Sequence, residues 1–329
     1  MTLETGAADP VLPQAKMHLV RPNEPVIGRV ASTALCLKGK SASFVRHLAI
    51  DVSGTSLEGN FLIGQSFGVI APGVDEFGKP HKVRLYSIAC PSWGEDGAGR
   101  IISTTPKRLI DEHAPQKPSD DSRDHRLFLG VCSNFLCDID VGDEVMLSGP
   151  NGKSFLLPVN TGAHDYLFVA TGTGIAPFRG MVMELLDHPN GPATSRIHLV
   201  MGSPYSTDLL YDDLFRDYAG RFDNFHYHTA ISRERRPDGR RGLYVDAYVD
   251  ENMDGTFRSL LESPRTLIYV CGLAGMQIGL FRVLAKHGLG DAYLWIKDEE
   301  TAAMNPLDWP VDIIKRYVRP TKRCMLEVY

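Results

Sequence analysis

The chain has 329 residues, of which 43% are hydrophobic and 23% are charged, and its formal net charge is −5. This composition is typical of a folded globular protein and excludes a disordered one, while the length favours two domains. The mild negative charge argues against nucleic acid as a partner. The opening residues lack the basic head and apolar core of a signal peptide, and no apolar run is long enough for a membrane helix. We therefore predict a cytoplasmic protein with no membrane partner.

The cysteines are few for this length and irregularly spaced, which favours reduced thiols over a disulfide framework. They are Cys36, Cys90, Cys132, Cys137, Cys271 and Cys324. No C-x-x-C pair and no iron–sulfur ligand set is present. If the protein transfers electrons, an organic cofactor must carry them.

The first half of the chain is rich in short β-type segments. Residues 1–25 carry no periodic apolar pattern and are predicted to form a flexible leader. From residue 26 to residue 160, β segments alternate with Gly and Pro turns, which predicts an antiparallel β-barrel. The segments are GQSFGVIAPG, KVRLYSIA, RIISTT, HRLFLGV and DEVMLSGP. The polar stretch 114–124 is predicted to be an exposed loop.

From residue 161 to residue 329, apolar strands alternate with helical patterns. The strands are DYLFVA, RIHLVMG, FHYHTAI and TLIYVCG, and the first is followed by the helical pattern FRGMVMELLDH. This alternation predicts an α/β domain with a doubly wound parallel sheet. We place the domain boundary near Pro158–His164.

The segment ATGTGIAPFR follows the first predicted parallel strand. Gly172 and Gly174 would let a phosphate approach the backbone, and Thr173 adds a hydroxyl donor. Pro177 suits the first turn of a helix, whose amino end favours an anion. A tight connection without a ligand is the alternative, because Pro177 stands where the dinucleotide fingerprint has its third glycine. The position after this strand favours a dinucleotide site.

An arginine-rich segment follows the third predicted parallel strand, where a doubly wound fold places the adenosine ribose. We assign four of its residues to a phosphate site, namely Ser232, Arg233, Arg241 and Tyr244. Guanidinium groups suit the 2′-phosphate of NADP, whereas NAD sites place a carboxylate there. A solvated loop is the alternative.

In the first half, the strand-like RLYS segment places Arg84 and Tyr86 on one face and Ser87 on the other. The segment GVCSNFL adds a glycine and a helix start that would bind a second pyrophosphate. On spacing alone, ordinary cross-strand packing explains an arginine beside a tyrosine better than a ligand site does. The residues by themselves predict an anion site in a β-rich domain, but not a flavin.

Motifs along the chain resemble the plant-type ferredoxin–NADP⁺ reductases in kind, order and interval. They are GQSFGVIAPGVDEFGKPHKVRLYSIA, GVCSNFLCDIDVGDEVMLSGPNGK, ATGTGIAPFRG, LVMGSP with LLYDDLF, AISRE, YVCGLAGM and the terminal LEVY. The resemblance covers roughly residues 60–329. It implies an FAD-binding barrel followed by an NADP-binding α/β domain. It also implies hydride transfer from NADPH to FAD and single-electron transfer to an acidic carrier, ferredoxin or flavodoxin.

The resemblance assigns roles to several residues of the first domain. It implies that Arg84 contacts the FAD pyrophosphate, that Tyr86 stacks on the isoalloxazine ring, and that Ser87 lies near flavin N5. The residues implied to cradle the pyrophosphate are Cys132, Ser133 and Asn134.

In the second domain the resemblance points to the nicotinamide site. It implies that Cys271 and Glu327 line this site, with Gly272 at the same strand end, and that Tyr329 covers the second flavin face and yields to nicotinamide. Without the resemblance, Cys271 reads as a buried strand-end thiol. The implied catalytic residues are Ser87, Cys271, Glu327 and Tyr329.

The sequence departs from the family pattern in four places. The KRL motif is followed by Ile110 and Asp111, without the tyrosine that stacks on adenine in the family. Gly242 replaces a lysine near the NADP phosphate, with the two arginines before it as substitutes. Cys324 replaces a tryptophan, and the segment 290–323 is longer than usual, with DEETAAMNPLDWP as an insertion.

Two further groups of residues are open to more than one interpretation. His226 and His228 alternate in a predicted strand and share a face, which favours packing; we predict no metal site. A basic run precedes the last strand and is either a solvated face or a docking site for an acidic carrier. Its members are Lys315, Arg316, Arg319, Lys322 and Arg323.

Two alternatives to the carrier-coupled reductase remain. One is the reductase component of a multicomponent oxygenase. The other, from a different class, is a catalytically inactive module that binds flavin or nucleotide.

Overall fold

The computed structural model describes residues 9–112, 121, 123 and 125–329. Most of the predicted loop 114–124 lies outside these residues. The chain forms two compact units, of which the first is Ala15–Gly152. The second is Lys153–Tyr329 together with the described part of residues 1–14. Within the described ranges, no helix combines the length and apolar character needed to cross a membrane.

In its described residues, the first unit is an antiparallel β structure with one helix, α1, at Val131–Asp138. Its strands are β1 Val26–Leu35, β2 Arg46–Asp51, β3 Ser66–Ile70, β4 Arg84–Ser87, β5 Ile101–Thr104, β6 Ile110–Glu112, β7 Leu127–Leu129 and β8 Glu144–Asn151. The main sheet has the order β4-β3-β8-β1-β2-β5, and β6 pairs with β7 as a separate hairpin. The Ala89 backbone N–H, just after β4, donates to the Ser103 carbonyl of β5 at 2.8 Å. This hydrogen bond connects the two ends of the sheet, β4 and β5. The predicted antiparallel barrel is confirmed.

The second unit is built on a parallel sheet. Its strands are β9 Asp165–Thr171, β10 Ile197–Ser203, β11 Phe225–Ile231, β12 Thr266–Gly272 and β15 Cys324–Val328, with a short antiparallel pair, β13 Leu294–Ile296 and β14 Val318–Pro320. Its helices are α2 Ile175–Leu186, α3 Asp212–Arg221, α4 Val245–Glu251, α5 Arg258–Leu261, α6 Met276–Lys286, α7 Gly290–Tyr293, α8 Glu299–Ala303 and α9 Val311–Tyr317. The predicted α/β domain is confirmed.

The order of the parallel strands, β11-β10-β9-β12-β15, creates a switch point. The chain moves outward from β9 through β10 to β11 and then returns to β12 on the other side of β9. Parallel strands covered on both faces are apolar throughout, and β9 and β12 bury Leu167, Val169, Ile268 and Val270 completely. Ligands of such sheets bind at the carboxyl edge beside the switch point, here between β9 and β12.

The two compact units divide at Gly152–Lys153, earlier than the predicted boundary. The reason is that the segment after Gly152 packs on the parallel sheet. Phe155 meets Tyr269 edge-on at 5.3 Å between ring centroids, and the Tyr269 hydroxyl donates to the Leu156 carbonyl at 2.7 Å. The described part of the predicted leader is also held by backbone hydrogen bonds, from Val159 N–H to the Val11 carbonyl at 2.9 Å and between Val20 and Gly149.

The long segment 290–323 folds onto the core of the second unit. Trp309 is 1% exposed, and its indole N–H donates to the Thr301 carbonyl at 3.0 Å. Arg323 donates to the carbonyls of Ser263 and Thr266 at 2.7 and 3.0 Å, so this member of the basic run supports the core instead of forming a solvated face. Lys322 pairs with Asp9 at 2.8 Å.

A histidine cluster joins β10 and β11. The parallel register places His198 opposite His226, and His198 Nδ1 lies 3.1 Å from His228 Nε2. His228 also packs against Phe257, at 5.3 Å between ring centroids. Burial, then the neighbouring His226 and His228, lowers the pKa of His198 to about 3, and burial lowers the pKa of His228 to about 4.

This cluster is expected to destabilise the protein in acid. Because both folded-state pKa values lie below the unfolded value of about 6.5, the unfolded state binds more protons as the pH falls below 6.5, and each histidine costs about 2 kcal/mol at pH 5. Replacing His198 with Leu should flatten the fall in unfolding midpoint between pH 6.5 and pH 4.5, measured by circular dichroism. His81→Gln, outside the cluster, serves as the control. An unchanged slope for His198→Leu would contradict the assignment.

Candidate active site

The glycine turn after β9 lies at the carboxyl edge of the sheet, against the end of β12. A Cβ atom on Gly174 would lie 2.6 Å from the Gly272 Cα and closer still to the Cys271 carbonyl. A Cβ on Gly272, which has a φ of +141°, would lie 2.7 Å from the Thr171 carbonyl. The two chain segments therefore approach each other as closely as backbone allows. Gly172 faces open space, and Pro177 lies in the first turn of α2.

The C-terminal residue is fixed at this same edge. The Tyr329 backbone N–H donates to the Gly272 carbonyl at 3.0 Å, and the Ala274 N–H donates to the Tyr329 carbonyl at 2.8 Å. The Tyr329 hydroxyl lies 2.8 Å from Thr173 Oγ1, on the glycine turn. The side chain is nevertheless 58% exposed. The phenol ring is anchored at its tip and its backbone while part of its surface remains available to a ligand.

Cys271 and Glu327 lie side by side on β12 and β15, in direct register. Cys271 is fully buried, and burial followed by the neighbouring Glu327 raises the pKa of its thiol. Burial also raises the pKa of Glu327 to about 7. Its Oε2 is buried and has no hydrogen-bond partner among the described residues. An unsatisfied buried carboxyl oxygen of this kind is costly and marks a functional site.

The arginine-rich loop after β11 divides into two groups. Arg235 bridges to Arg241 across a tight turn and donates to the Gly239 carbonyl at 2.9 Å. Arg236 pairs with Glu251 at 2.6 Å, and Arg240 pairs with Asp238 at 2.7 Å and also faces Glu251. Arg235, Arg236 and Arg240 therefore hold the loop together.

The second group consists of the loop residues that the sequence assigns to a phosphate site. In the described part of the chain, the exposed guanidinium groups of Arg233 and Arg241 have no carboxylate partner. Tyr244 is 70% exposed, and Ser232 is fixed by its backbone N–H to the Ser203 carbonyl at 2.9 Å. Gly242 has no room for a side chain, since a Cβ would lie 2.6 Å from the Glu234 carbonyl.

In the first unit, the structure brings the RLYS strand next to the start of α1. Burial, then the neighbouring Cys132 thiol, raises the pKa of Tyr86, and Cys132 donates to the Val69 carbonyl at 3.7 Å. Arg84 is exposed on the same strand, and Ser87 is half-buried. Tyr86 of the RLYS motif and Cys132 of the GVCSNFL motif are therefore in contact. This contact brings the two motifs together, as a shared anion site requires.

The side chains of Ser133 and Asn134 are occupied by local structure. Ser133 Oγ donates to the Gly130 carbonyl at 3.1 Å, and Asn134 Nδ2 donates to the Leu109 carbonyl at 2.9 Å. The first turn of α1 contains no acidic residue. The Asn134 N–H donates to the Gly130 carbonyl at 2.9 Å, whereas the N–H groups of the three residues before it precede the first helical hydrogen bond. If this turn holds a pyrophosphate, the backbone supplies the donors. The groups present in both units thus fit two dinucleotide cofactors.

Two further residues connect segments that are distant in sequence. Thr171 Oγ1 accepts from the Leu273 N–H at 3.1 Å and joins the glycine turn to the loop after β12. Arg108 donates to Asn134 Oδ1 at 3.1 Å and pairs with Asp138, which fastens α1 to the segment between β5 and β6. The sequence does not predict the role of Arg108, because its partners lie in another segment of the chain.

Comparison with known proteins gives the same assignment. A model described as an oxidoreductase NAD-binding domain matches residues 168–280. Ferredoxin–NADP reductase of Spirulina sp is 35% identical over 268 residues, which are 80% of this chain and 87% of that protein. The leaf-type chloroplastic isozyme of Nicotiana tabacum is 33% identical, over 89% of this chain and 78% of its own length. The chain spans 65% of the Synechocystis enzyme, at 34% identity.

A solved structure confirms the fold. Ferredoxin–NADP⁺ reductase from Plasmodium falciparum superposes with a TM-score of 0.65 over 95% of this chain and 99% of its own, at 21% identity. The antiparallel barrel, the parallel sheet and its switch-point glycines define a two-domain, dinucleotide-binding oxidoreductase. The chain belongs to the ferredoxin–NADP reductase family.

Proposed function

We propose that the protein is an FAD-dependent oxidoreductase that takes hydride from NADPH and passes single electrons to ferredoxin or flavodoxin. FAD, when bound, would supply the conversion between a two-electron donor and a one-electron acceptor. Family membership supports this function. The observation that carries it is Tyr329, anchored to Gly272, Ala274 and Thr173 beside the buried Cys271 and the half-buried Glu327.

The first unit would hold FAD. Arg84 would neutralise the pyrophosphate, together with the backbone N–H groups of the first α1 turn. Tyr86 would stack on the isoalloxazine ring, with Ser87 next to it. Cys132 supports this arrangement by fixing the Tyr86 ring against α1.

The second unit would bind NADPH. Gly172 and Gly174 admit the pyrophosphate to the amino end of α2, and Arg233 and Arg241 would bind the 2′-phosphate. Tyr329 would cover the second flavin face and move aside for nicotinamide, at a stacking cost of about 0.5–1.5 kcal/mol.

The function is tested directly with the purified protein. We expect bound FAD, faster dye reduction with NADPH than with NADH, and cytochrome c reduction that depends on ferredoxin. The last rate should fall with salt if the carrier is acidic, because screening weakens charged docking. A preparation that binds no flavin when FAD is added would refute the proposal. If turnover needs no carrier, or occurs only when an oxygenase is added, the oxygenase-reductase alternative is favoured.

The raised pKa of Glu327 predicts that the stability of the protein depends on pH. Because its folded-state pKa of about 7 exceeds the unfolded value of about 4.5, stability is present at low pH and is lost as the pH rises from 4.5 to 7. Glu327→Gln should therefore raise the unfolding midpoint at pH 8 and leave it unchanged at pH 4.5. It should also remove an inflection near pH 7 from kcat/KM for NADPH.

The control for this variant is Glu262→Gln, an exposed carboxylate of the same unit. Its unfolding midpoint should follow that of the wild type at every pH. If the unfolding midpoint of Glu327→Gln also follows that of the wild type at every pH, the pKa of the Glu327 carboxyl is not raised to about 7.

A further inference from the structure

Two loops at the carboxyl edge of the parallel sheet are joined by backbone hydrogen bonds. One follows β10 and begins at Pro204, and the other follows β11 and carries the proposed phosphate ligands Ser232 and Arg233. The Ser232 N–H donates to the carbonyl of Ser203, the last residue of β10, at 2.9 Å. The Arg233 N–H donates to the Pro204 carbonyl at 2.9 Å. The phosphate site is therefore built against the loop that follows β10.

A side chain of the phosphate loop adds a third contact between these two loops. Glu234 Oε1 accepts from the Ser206 backbone N–H at 2.6 Å and from Ser206 Oγ at 2.9 Å. Ser206 begins a single 3₁₀ turn, Ser206–Asp208, and the N–H groups that open a helical turn have no partner within it. The carboxylate therefore satisfies this N–H and fastens the turn to the residue directly after Arg233.

This contact also decides where the negative charge of the loop lies. Glu234 stands between Arg233 and Arg235 in the sequence, and a carboxylate that paired with a guanidinium would compete with a phosphate for it. In the part of the chain that the structure describes, Glu234 forms no ion pair, because Ser206 engages its carboxylate. The contact that fastens the loop thus leaves the Arg233 guanidinium available to a ligand.

We infer that Glu234 is a positioning residue for the 2′-phosphate of NADPH, acting through Arg233 and not by touching the nucleotide. This inference rests on the proposed use of NADPH. A ligand-binding side chain needs a backbone that is held in place by neighbouring groups, and Glu234 fixes the backbone next to Arg233. Because only the 2′-phosphate would contact Arg233, the effect is confined to nucleotides that carry this phosphate.

The test uses the purified protein and two ligands that differ by one phosphate, 2′-phospho-AMP and AMP, titrated by calorimetry. Glu234→Ala should weaken 2′-phospho-AMP binding by about 10- to 100-fold, the equivalent of one lost charge-assisted hydrogen bond, and leave AMP binding unchanged. In dye reduction it should raise the KM for NADPH and leave kcat unchanged. Glu234→Gln should retain the wild-type affinities, because its amide oxygen accepts both hydrogen bonds.

The amide variant distinguishes positioning from charge. If the Glu234 carboxylate acts only by repelling the phosphate, Glu234→Ala and Glu234→Gln should both tighten 2′-phospho-AMP binding, and this result overturns the inference. An equal loss of affinity for both ligands in Glu234→Ala also overturns it, because the defect would then be a general one of the second unit.

Asp238→Asn is the matched control for the loss of a negative charge. Asp238 lies in the same loop but pairs with Arg240, so this variant should bind 2′-phospho-AMP at least as tightly as the wild type. Unchanged 2′-phospho-AMP binding in Glu234→Ala overturns the role of Glu234 while the proposed function stands. A wild-type protein that binds 2′-phospho-AMP no more tightly than AMP overturns both.

Discussion

Replacing Arg233 and Arg241 together with alanine should lower the preference for NADPH over NADH by about 10²- to 10⁴-fold. Each guanidinium would make a charge-assisted hydrogen bond of roughly 1.5–3 kcal/mol to the 2′-phosphate, which NADH lacks. The structure favours this pair because the neighbouring arginines are already engaged by carboxylates or carbonyls of the loop. The measurement is kcat/KM for dye reduction with each nucleotide.

The chain offers a matched control in Arg240. Its guanidinium pairs with Asp238 and faces Glu251, so Arg240→Ala removes one positive charge from the same loop at a guanidinium that carboxylates already engage. Its NADPH preference should fall far less than that of the double variant. If Arg240→Ala and the double variant lose the NADPH preference equally, the preference depends on the total positive charge of the loop and not on two specific guanidinium groups. If neither loses it, the loop is a solvated face.

Gly174→Ala is expected to destabilise the second unit and to impair nucleotide binding. The added methyl would lie 2.6 Å from the Gly272 Cα, and backbone on that side has no flexible end to move away. Overpacking of this kind typically costs about 1–3 kcal/mol. The chain end at Tyr329 hydrogen-bonds to Gly272, so a shift of β12 should also raise the KM for NADPH. Thermal unfolding and dye-reduction kinetics measure the two effects.

Gly220→Ala controls for the general effect of glycine replacement. Gly220 lies in α3, and a Cβ there would meet nothing within 4 Å. Alanine is favoured over glycine in a helix by about 0.5–1 kcal/mol, so this variant should unfold at an equal or higher temperature. A Gly174→Ala protein with wild-type stability and KM would show that the contact between the turn and β12 is not limiting.

Predictions from local pattern were reliable for the elements that carry the site. The apolar runs DYLFVA, RIHLVMG, FHYHTAI and TLIYVCG are β9 to β12, and the glycine turn follows β9 as expected. The position of the domain boundary depended on packing. The stretch 153–157 is short and β-like, and its contacts with Tyr269 of the parallel sheet assign it to the second unit.

Roles that depend on pairing could not be predicted from the sequence. Nothing in the order of the basic residues distinguishes Arg240 and Arg323 from their neighbours, but the structure pairs the first with Asp238 and the second with the carbonyls of Ser263 and Thr266. The histidine cluster has the same origin. His226 and His228 share a face by strand alternation, whereas His198 joins them through the register of β10 with β11.

The sequence by itself determined the antiparallel barrel, the doubly wound sheet, the family and the chemical types of the site residues, because periodicity, glycine turns and ordered motifs are local properties of the chain. Only the tertiary structure decided which arginines remain available for a phosphate, and that Glu327 lies half-buried beside Cys271 with a pKa near 7. The physical reason is that burial and pairing arise from segments far apart in sequence, brought together by strand register.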